Sequence, residues 1–277
     1  AVVNGTVSLR IALLAAGIRA EDEVIVPPYT FISTASAVIE ANAIPVFADI
    51  DLHTFNLDPA AVERALTPRT RALIPVHFAG QPADMEALMA IARARGLVVI
   101  EDAAHAHGAS YQGRAVGSLG DMASFSFQSS KNLTAGEGGM ITTNDEALAE
   151  SCRSIQNCGR VAGGVWYEHH VIAGNYRLGE FQGAVLNGQL DRFEDQARTR
   201  DANGQYLASR VAAVPGLHPQ VERYERRQQV RAGKLQRLAQ REREPEAVHE
   251  AEGKRQDPPA PQRGTRDVLQ RHVDDRR

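Results

Sequence analysis

A lysine set in a loop of small residues is the group in this chain most suited to covalent chemistry. Lys131 lies in Ser124-Phe125-Ser126-Phe127-Gln128-Ser129-Ser130-Lys131-Asn132-Leu133-Thr134-Ala135-Gly136-Glu137-Gly138-Gly139. An amine held among small side chains loses its proton at modest cost and can then form an imine with an aldehyde. The glycines that follow permit tight turns and close approach of backbone to a ligand. A surface lysine beside a glycine-rich hairpin has the same residues, so the assignment depends on partners elsewhere in the chain.

The first partner is a carboxylate. Val98-Val99-Ile100-Glu101-Asp102-Ala103-Ala104-His105 is an apolar run that ends in two acids. In open α/β sheets the carboxyl ends of strands face the ligand crevice, which is where Asp102 falls. A carboxylate there can keep a pyridinium nitrogen protonated and make the ring an electron sink. A helix-capping aspartate is the plain alternative. His105 could stack on a ring or hydrogen-bond to it. His107 is expected to be a satisfied structural histidine, since no spaced carboxylates or cysteines complete a metal site with it.

Asn4-Gly5-Thr6-Val7-Ser8 precedes an apolar helical stretch, Leu9–Ala16. Free N–H groups, a hydroxyl and the positive end of a helix dipole together suit a phosphate, although an ordinary N-cap uses the same residues. Asn175-Tyr176-Arg177-Leu178-Gly179-Glu180-Phe181-Gln182-Gly183-Ala184 leads from a polar head into a small-residue helix, and by itself reads as structural.

These groups need a scaffold, and the hydrophobic pattern supplies one. Val24–Pro27, Pro45–Ala48, Ala72–Val76, Leu97–Ile100, Met122–Phe127 and Gly139–Thr143 read as strands. Phe31–Ala43, Pro59–Ala65, Asp84–Arg95 and a stretch from about Asp145 to Gln156 read as helices between them. Strands alternating with helices predict a mostly parallel sheet covered on both faces. A dinucleotide-binding fold fails on one point: Gly136–Gly139 leads into a strand, whereas a dinucleotide loop opens a helix.

The 277 residues carry a net charge of -3, which gives no reason to expect nucleic acid or an anionic membrane as partner. No apolar run approaches the roughly 20 residues of a membrane-spanning helix. Cys152 and Cys158 read as free thiols, consistent with a reducing cytoplasm. The opening at Ala1, without methionine, suggests an N-terminal truncation. Beyond about Gln220 the chain becomes dense in Arg, Glu and Gln, with Pro258, Pro259 and Pro261 close together. So few apolar residues cannot offset about 1–2 kcal/mol of backbone ordering entropy per residue. The division is therefore a domain over 1–220 and a tail over 221–277, disordered or marginally helical within Glu222–Arg243, with an onset like that of a shifted reading frame.

In order, Asn-Gly-Thr, Pro-x-Tyr-Thr-Phe, Glu-Asp-Ala-Ala-His, Ser-Phe-Ser-Phe-x-x-x-Lys-x-x-Thr-x-Gly-Glu-Gly-Gly and Asn-Tyr-Arg-x-x-Glu resemble the DegT/DnrJ/StrS family of sugar aminotransferases. The resemblance runs from Ala1 to about Gln220. It implies the large domain of the type I pyridoxal 5'-phosphate (PLP) aminotransferase fold and a keto-sugar or keto-cyclitol acceptor. Glutamate or glutamine would be the amino donor. Lys131 then matches the Schiff-base lysine and Asp102 the partner of the pyridine nitrogen. His105 matches the residue that the family places against the cofactor near its phenolic oxygen, and Gly5, Thr6 and Ser126 match phosphate contacts. Phe31 matches the aromatic residue stacked on the ring. Asn175 matches the residue that reaches the neighbouring subunit's phosphate, which implies a homodimer with shared active sites. Gln128, three residues before Lys131, resembles the aminocyclitol and aminobenzoate-forming branch. The family's C-terminal small domain is not recognisable in the tail, so an inactive fragment or a non-catalytic regulatory module of the same fold is the competing expectation.

Overall fold

The architecture follows from strands that are apolar on both faces. The computed structural model describes residues 1–219. In chain order the elements are α1 (Gly5–Ala15), β1 (Glu23–Val26), α2 (Ser33–Glu40), β2 (Ile44–Phe47), α3 (Pro59–Ala65) and β3 (Thr70–Leu73). They continue with α4 (Met85–Arg95), β4 (Val98–Asp102), the short strands β5 (Ser110–Tyr111) and β6 (Arg114–Ala115), and β7 (Met122–Ser126). The last are β8 (Gly139–Thr143), α5 (Glu146–Gln156) and α6 (Glu180–Ala212).

Successive strand residues point to opposite faces, and here both faces are dry. Val24, Val26, Ala72, Ile74, Ile100 and Met122 join a core with α1, α2 and α5. Ile25, Leu73 and Val99 join a second core with α3 and α4 on the other face. Burying each such side chain contributes about 1.5–3 kcal/mol. The resulting six-stranded sheet has the order β2-β1-β3-β4-β7-β8. Every pairing is parallel except that of β7 with β8. Mostly parallel strands with helices on both faces are what the sequence led us to expect.

Local signals fix most boundaries. The Asn4 side chain accepts the Val7 N–H at the start of α1, Asp58 accepts two N–H groups ahead of Pro59, and Asp84 and Asp145 cap α4 and α5. Gly96 ends α4 in the left-handed conformation, φ 64°. The expected helix at Pro59–Ala65 and strand at Gly139–Thr143 coincide with those observed. β3 stops at Leu73 rather than Val76, where Pro75 has no N–H to donate to a ladder. Helix α2 is shorter than the expected Phe31–Ala43 because Phe31 and Ile32 belong to the loop leaving β1.

The β5–β6 hairpin was not anticipated, and α6 extends well beyond the small-residue helix expected after Asn175. The β5–β6 hairpin is only a few residues long, and α6 runs for 33 residues with Leu186 and Phe193 as its buried anchors. Those two pack with Phe127 and Leu133, so α6 is fastened to the loop that carries Lys131. The tail from Val221, including Glu222–Arg243, lies outside the described residues. Among the described residues no helix is long and apolar enough to cross a membrane, and Cys152 and Cys158 are free.

One close approach sets the position of α1. A Cβ at Gly139 would lie 2.4 Å from the Asn4 carbonyl oxygen and 2.5 Å from its carbon. Backbone cannot yield as a side chain can. Gly139→Ala is expected to cost about 1–3 kcal/mol by overpacking, read from the midpoint of urea unfolding. An unchanged midpoint would show that α1 is free to shift.

Candidate active site

The parallel strands present their carboxyl ends along one edge, and β4 and β7 place side chains there. Asp102, the last residue of β4, is 6% exposed. Its Oδ2 accepts a hydrogen bond from Thr34 Oγ1 at 2.8 Å and its Oδ1 one from the Ala104 N–H at 3.2 Å. Its main chain is clamped too: the N–H donates to Pro75 O and the carbonyl accepts from the His77 N–H. The carboxylate therefore has a fixed direction.

Lys131 follows β7 in a loop and is half-buried. It is the one lysine among residues 1–219. Burial pulls its pKa below the usual lysine range, and the Asp102 carboxylate opposes that shift. His105 is exposed by surface area, yet protein surrounds it closely enough for desolvation to lower its pKa. The Lys131 charge adds to that lowering and Asp102 opposes it. Lys131, Asp102 and His105 thus share one electrostatic neighbourhood.

A second group lies where α1 meets β7. Ser126, the buried last residue of β7, is so close to α1 that a Cβ at Gly5 would lie 2.8 Å from the Ser126 Cβ. By helix geometry the N–H groups of Gly5 and Thr6 have no intrahelical acceptor. The Ser126 hydroxyl accepts only a long bond, 3.4 Å, from the Gln128 N–H. Thr6 Oγ1 and Ser33 Oγ, 2.6 Å apart, join α1 to α2. Bare N–H groups, a dipole and a hydroxyl in a space that any side chain at position 5 would fill match a phosphate. The residues present therefore fit PLP at three points: phosphate cradle, ring-nitrogen partner and amine.

The remaining sequence-derived residues stand apart. Phe31 is 72% exposed. Tyr29, two residues before it, packs against Phe55 and Phe78 with centroids 5.7 and 4.8 Å away. Phe31 has no such ring partner among the described residues, which leaves its face open to a ligand. Asn175 is also exposed, its Oδ1 accepting the Arg177 N–H at 3.4 Å. His107 corrects an expectation. Its ring lies 5.6 and 5.8 Å from those of Phe125 and Phe127, and neither nitrogen has a partner in hydrogen-bonding geometry. Burial, with smaller contributions from Lys131 and His105, pushes its pKa down to about 4, against an opposing effect of the Ser126 backbone. It is a neutral ring filling apolar space.

Sequence reasoning missed Thr34 and the buried pair His77 and Glu101. A hydroxyl early in a helix carries no distinguishing signal. Glu101 had one, since alternation along β4 sends it to the face opposite Asp102. Among the described residues, no cluster of three or more His, Cys, Asp or Glu could hold a metal ion.

The profile of the DegT/DnrJ/EryC1/StrS aminotransferase family matches residues 1–251. A putative L-glutamine:3-amino-2,3-dideoxy-scyllo-inosose aminotransferase of Streptoalloteichus tenebrarius is 47% identical over 219 residues, 79% of this chain and 53% of that protein. The crystal structure of 3-amino-5-hydroxybenzoic acid synthase superimposes with a TM-score of 0.76 and 43% identity, over 79% of this chain and 58% of that one. The ntda protein of Bacillus subtilis, solved with bound cofactor PMP, gives a TM-score of 0.69 at 31% identity, over 76% and 48%. The chain spans about half the length of the curated relatives it matches.

The electrostatics give a signed expectation. Lys131 should react with an amine-directed reagent at lower pH than an ordinary lysine, because burial favours its neutral form. Asp102→Asn removes the charge that opposes this shift, so the labelling curve should move to still lower pH, followed by mass spectrometry of the Lys131 peptide. A curve that does not move would mean that the two groups do not face one another.

Proposed function

The chain belongs to the DegT/DnrJ/EryC1/StrS aminotransferase family, and on that footing we propose that it moves an amino group from glutamine or glutamate to a keto-sugar or keto-cyclitol, with PLP as cofactor. The observation that supports this most is the lone lysine of residues 1–219, half-buried and within electrostatic reach of Asp102. Two relatives, the putative L-glutamine:3-amino-2,3-dideoxy-scyllo-inosose aminotransferase and 3-amino-5-hydroxybenzoic acid synthase, favour glutamine and the branch that Gln128 resembles.

When bound, the cofactor supplies an aldehyde for imine exchange and a cationic ring that withdraws electrons from the carbon losing its proton. The chain does the rest. Gly5 and Thr6, through their N–H groups, and Ser126, through its hydroxyl, would hold the phosphate. Asp102, kept in place by Thr34 and Ala104, would hold a proton at the ring nitrogen. Phe31 would cover a ring face and keep water from it, and His105 would lie on the side of the phenolic oxygen. Lys131, whose neutral form is favoured by burial, takes a proton at Nζ and returns it. Positioned proton transfer of this kind contributes about 10²–10⁴-fold.

In this reading a second copy of the chain completes the site. Asn175, exposed on its own subunit, reaches the phosphate of its neighbour, and the homodimer works in the cytoplasm.

Borohydride reduction of the PLP-loaded protein should fix the cofactor on the Lys131 peptide. Lys131→Ala should abolish that adduct and lower transamination at least about 100-fold. A reducible covalent cofactor in Lys131→Ala would defeat the assignment.

A further inference from the structure

Behind β4, on the face away from the crevice, two ionisable side chains are fully buried and hydrogen-bonded to each other. His77 and Glu101 are each 0% exposed, with His77 Nε2 2.9 Å from Glu101 Oε2. The other ring nitrogen of His77 accepts the Ala83 N–H at 3.1 Å. That fixes the tautomer: Nδ1 is the acceptor, so Nε2 carries the proton and donates it to Glu101. Glu101 also accepts N–H groups from Gly117 at 2.9 Å, Leu119 at 2.7 Å and Gly120 at 2.9 Å. Burial would raise its pKa, but the His77 bond and the backbone donors outweigh this and keep it below the usual carboxylate range. Such a group is costly to bury, and a stability role alone would be served as well by apolar residues of similar volume.

Its location offers a second role. Glu101 and Asp102 are consecutive and point to opposite faces of β4. The segment Pro75–His77 grips the Asp102 backbone on both sides, accepting its N–H at Pro75 and donating the His77 N–H to its carbonyl. The His77 ring is in turn locked by Glu101 and Ala83. Glu101 also ties down residues 117–120, the turn that feeds β7 and so Ser126 and Lys131. A Cβ at Gly120 would lie 2.7 Å from Val99 O, so this turn is packed directly on β4.

We propose that His77 and Glu101 are positioning residues for Asp102, so that the aim of its carboxylate at the cofactor's ring nitrogen depends on the Nε2–H···Oε2 bond behind it. The inference rests on the proposed role of Asp102. Two variants separate the two ring nitrogens of His77. His77→Asn keeps an acceptor near Ala83 but is too short to reach Glu101. His77→Gln keeps a donor at the reach of Nε2.

The test reads the protonation of the ring nitrogen directly, by NMR of the full chain loaded with PLP ¹⁵N-labelled at that atom. In the unmodified chain the nitrogen should stay protonated through neutral pH. His77→Asn should lower its apparent pKa by about one unit, a tenfold loss of proton affinity, and weaken PLP retention on dialysis, while His77→Gln should restore both. Asp102→Asn is the reference. If it moves the nitrogen and His77→Asn does not, even where His77→Asn lowers the melting temperature, the pair is merely structural and the proposal is overturned. If neither moves it, Asp102 does not face the ring, and both the proposal and the reading beneath it fail. Should His77→Asn not fold, Glu101→Gln carries the same test with the same two outcomes.

Discussion

The parallel register of β4 against β7 is the constraint on which the site depends. Asp102 pairs with Ser124, which sets the end of one strand beside the end of the next. Two residues beyond Ser124, Ser126 meets the first turn of α1. Beyond that, the loop held by Phe127 and Leu133 on α6 returns Lys131 to the crevice. Slipping the register by one residue would exchange the faces of Glu101 and Asp102, aiming the wrong carboxylate at the ligand. The dry cores on both sides of the sheet are what forbid that slip.

The same alternation divides the labour of β4. Asp102 faces the crevice with its direction set by Thr34 and Ala104, while Glu101 faces inward and gathers loops from both neighbouring strands. Lys131 gains a lowered pKa from partial burial, and His107 contributes an uncharged ring beside it. The site is thus dry and fixed at its base, while Phe31, His105 and Asn175 remain exposed where a ligand or a second subunit would meet them.

Much of this was legible in the sequence because it rests on short-range rules. Apolar runs between polar turns located the strands, and the helix Pro59–Ala65 was legible because Asp58 and Pro59 supply capping chemistry at its start. Lys131, Asp102 and Ser126 could be picked out because each falls at or just after a strand end. Other features depend on long-range contacts that leave no local trace. The Thr34 hydroxyl matters only because the first turn of α2 reaches the end of β4 at Asp102. α6 escaped notice as a long helix because its outer faces are polar and only Leu186 and Phe193 are buried along it. His107 looked like an ordinary hydrogen-bonded histidine; its solitude follows from the flanking Phe125 and Phe127 on β7 and just beyond.

The most direct trial of this account is the electron density of the chain crystallised with PLP. The account requires unbroken density from Lys131 Nζ to the aldehyde carbon, the phosphate at the Gly5–Thr6 turn, and Asp102 within hydrogen-bonding distance of the ring nitrogen. A ring bound elsewhere, or one in the crevice whose nitrogen points away from Asp102, would contradict it.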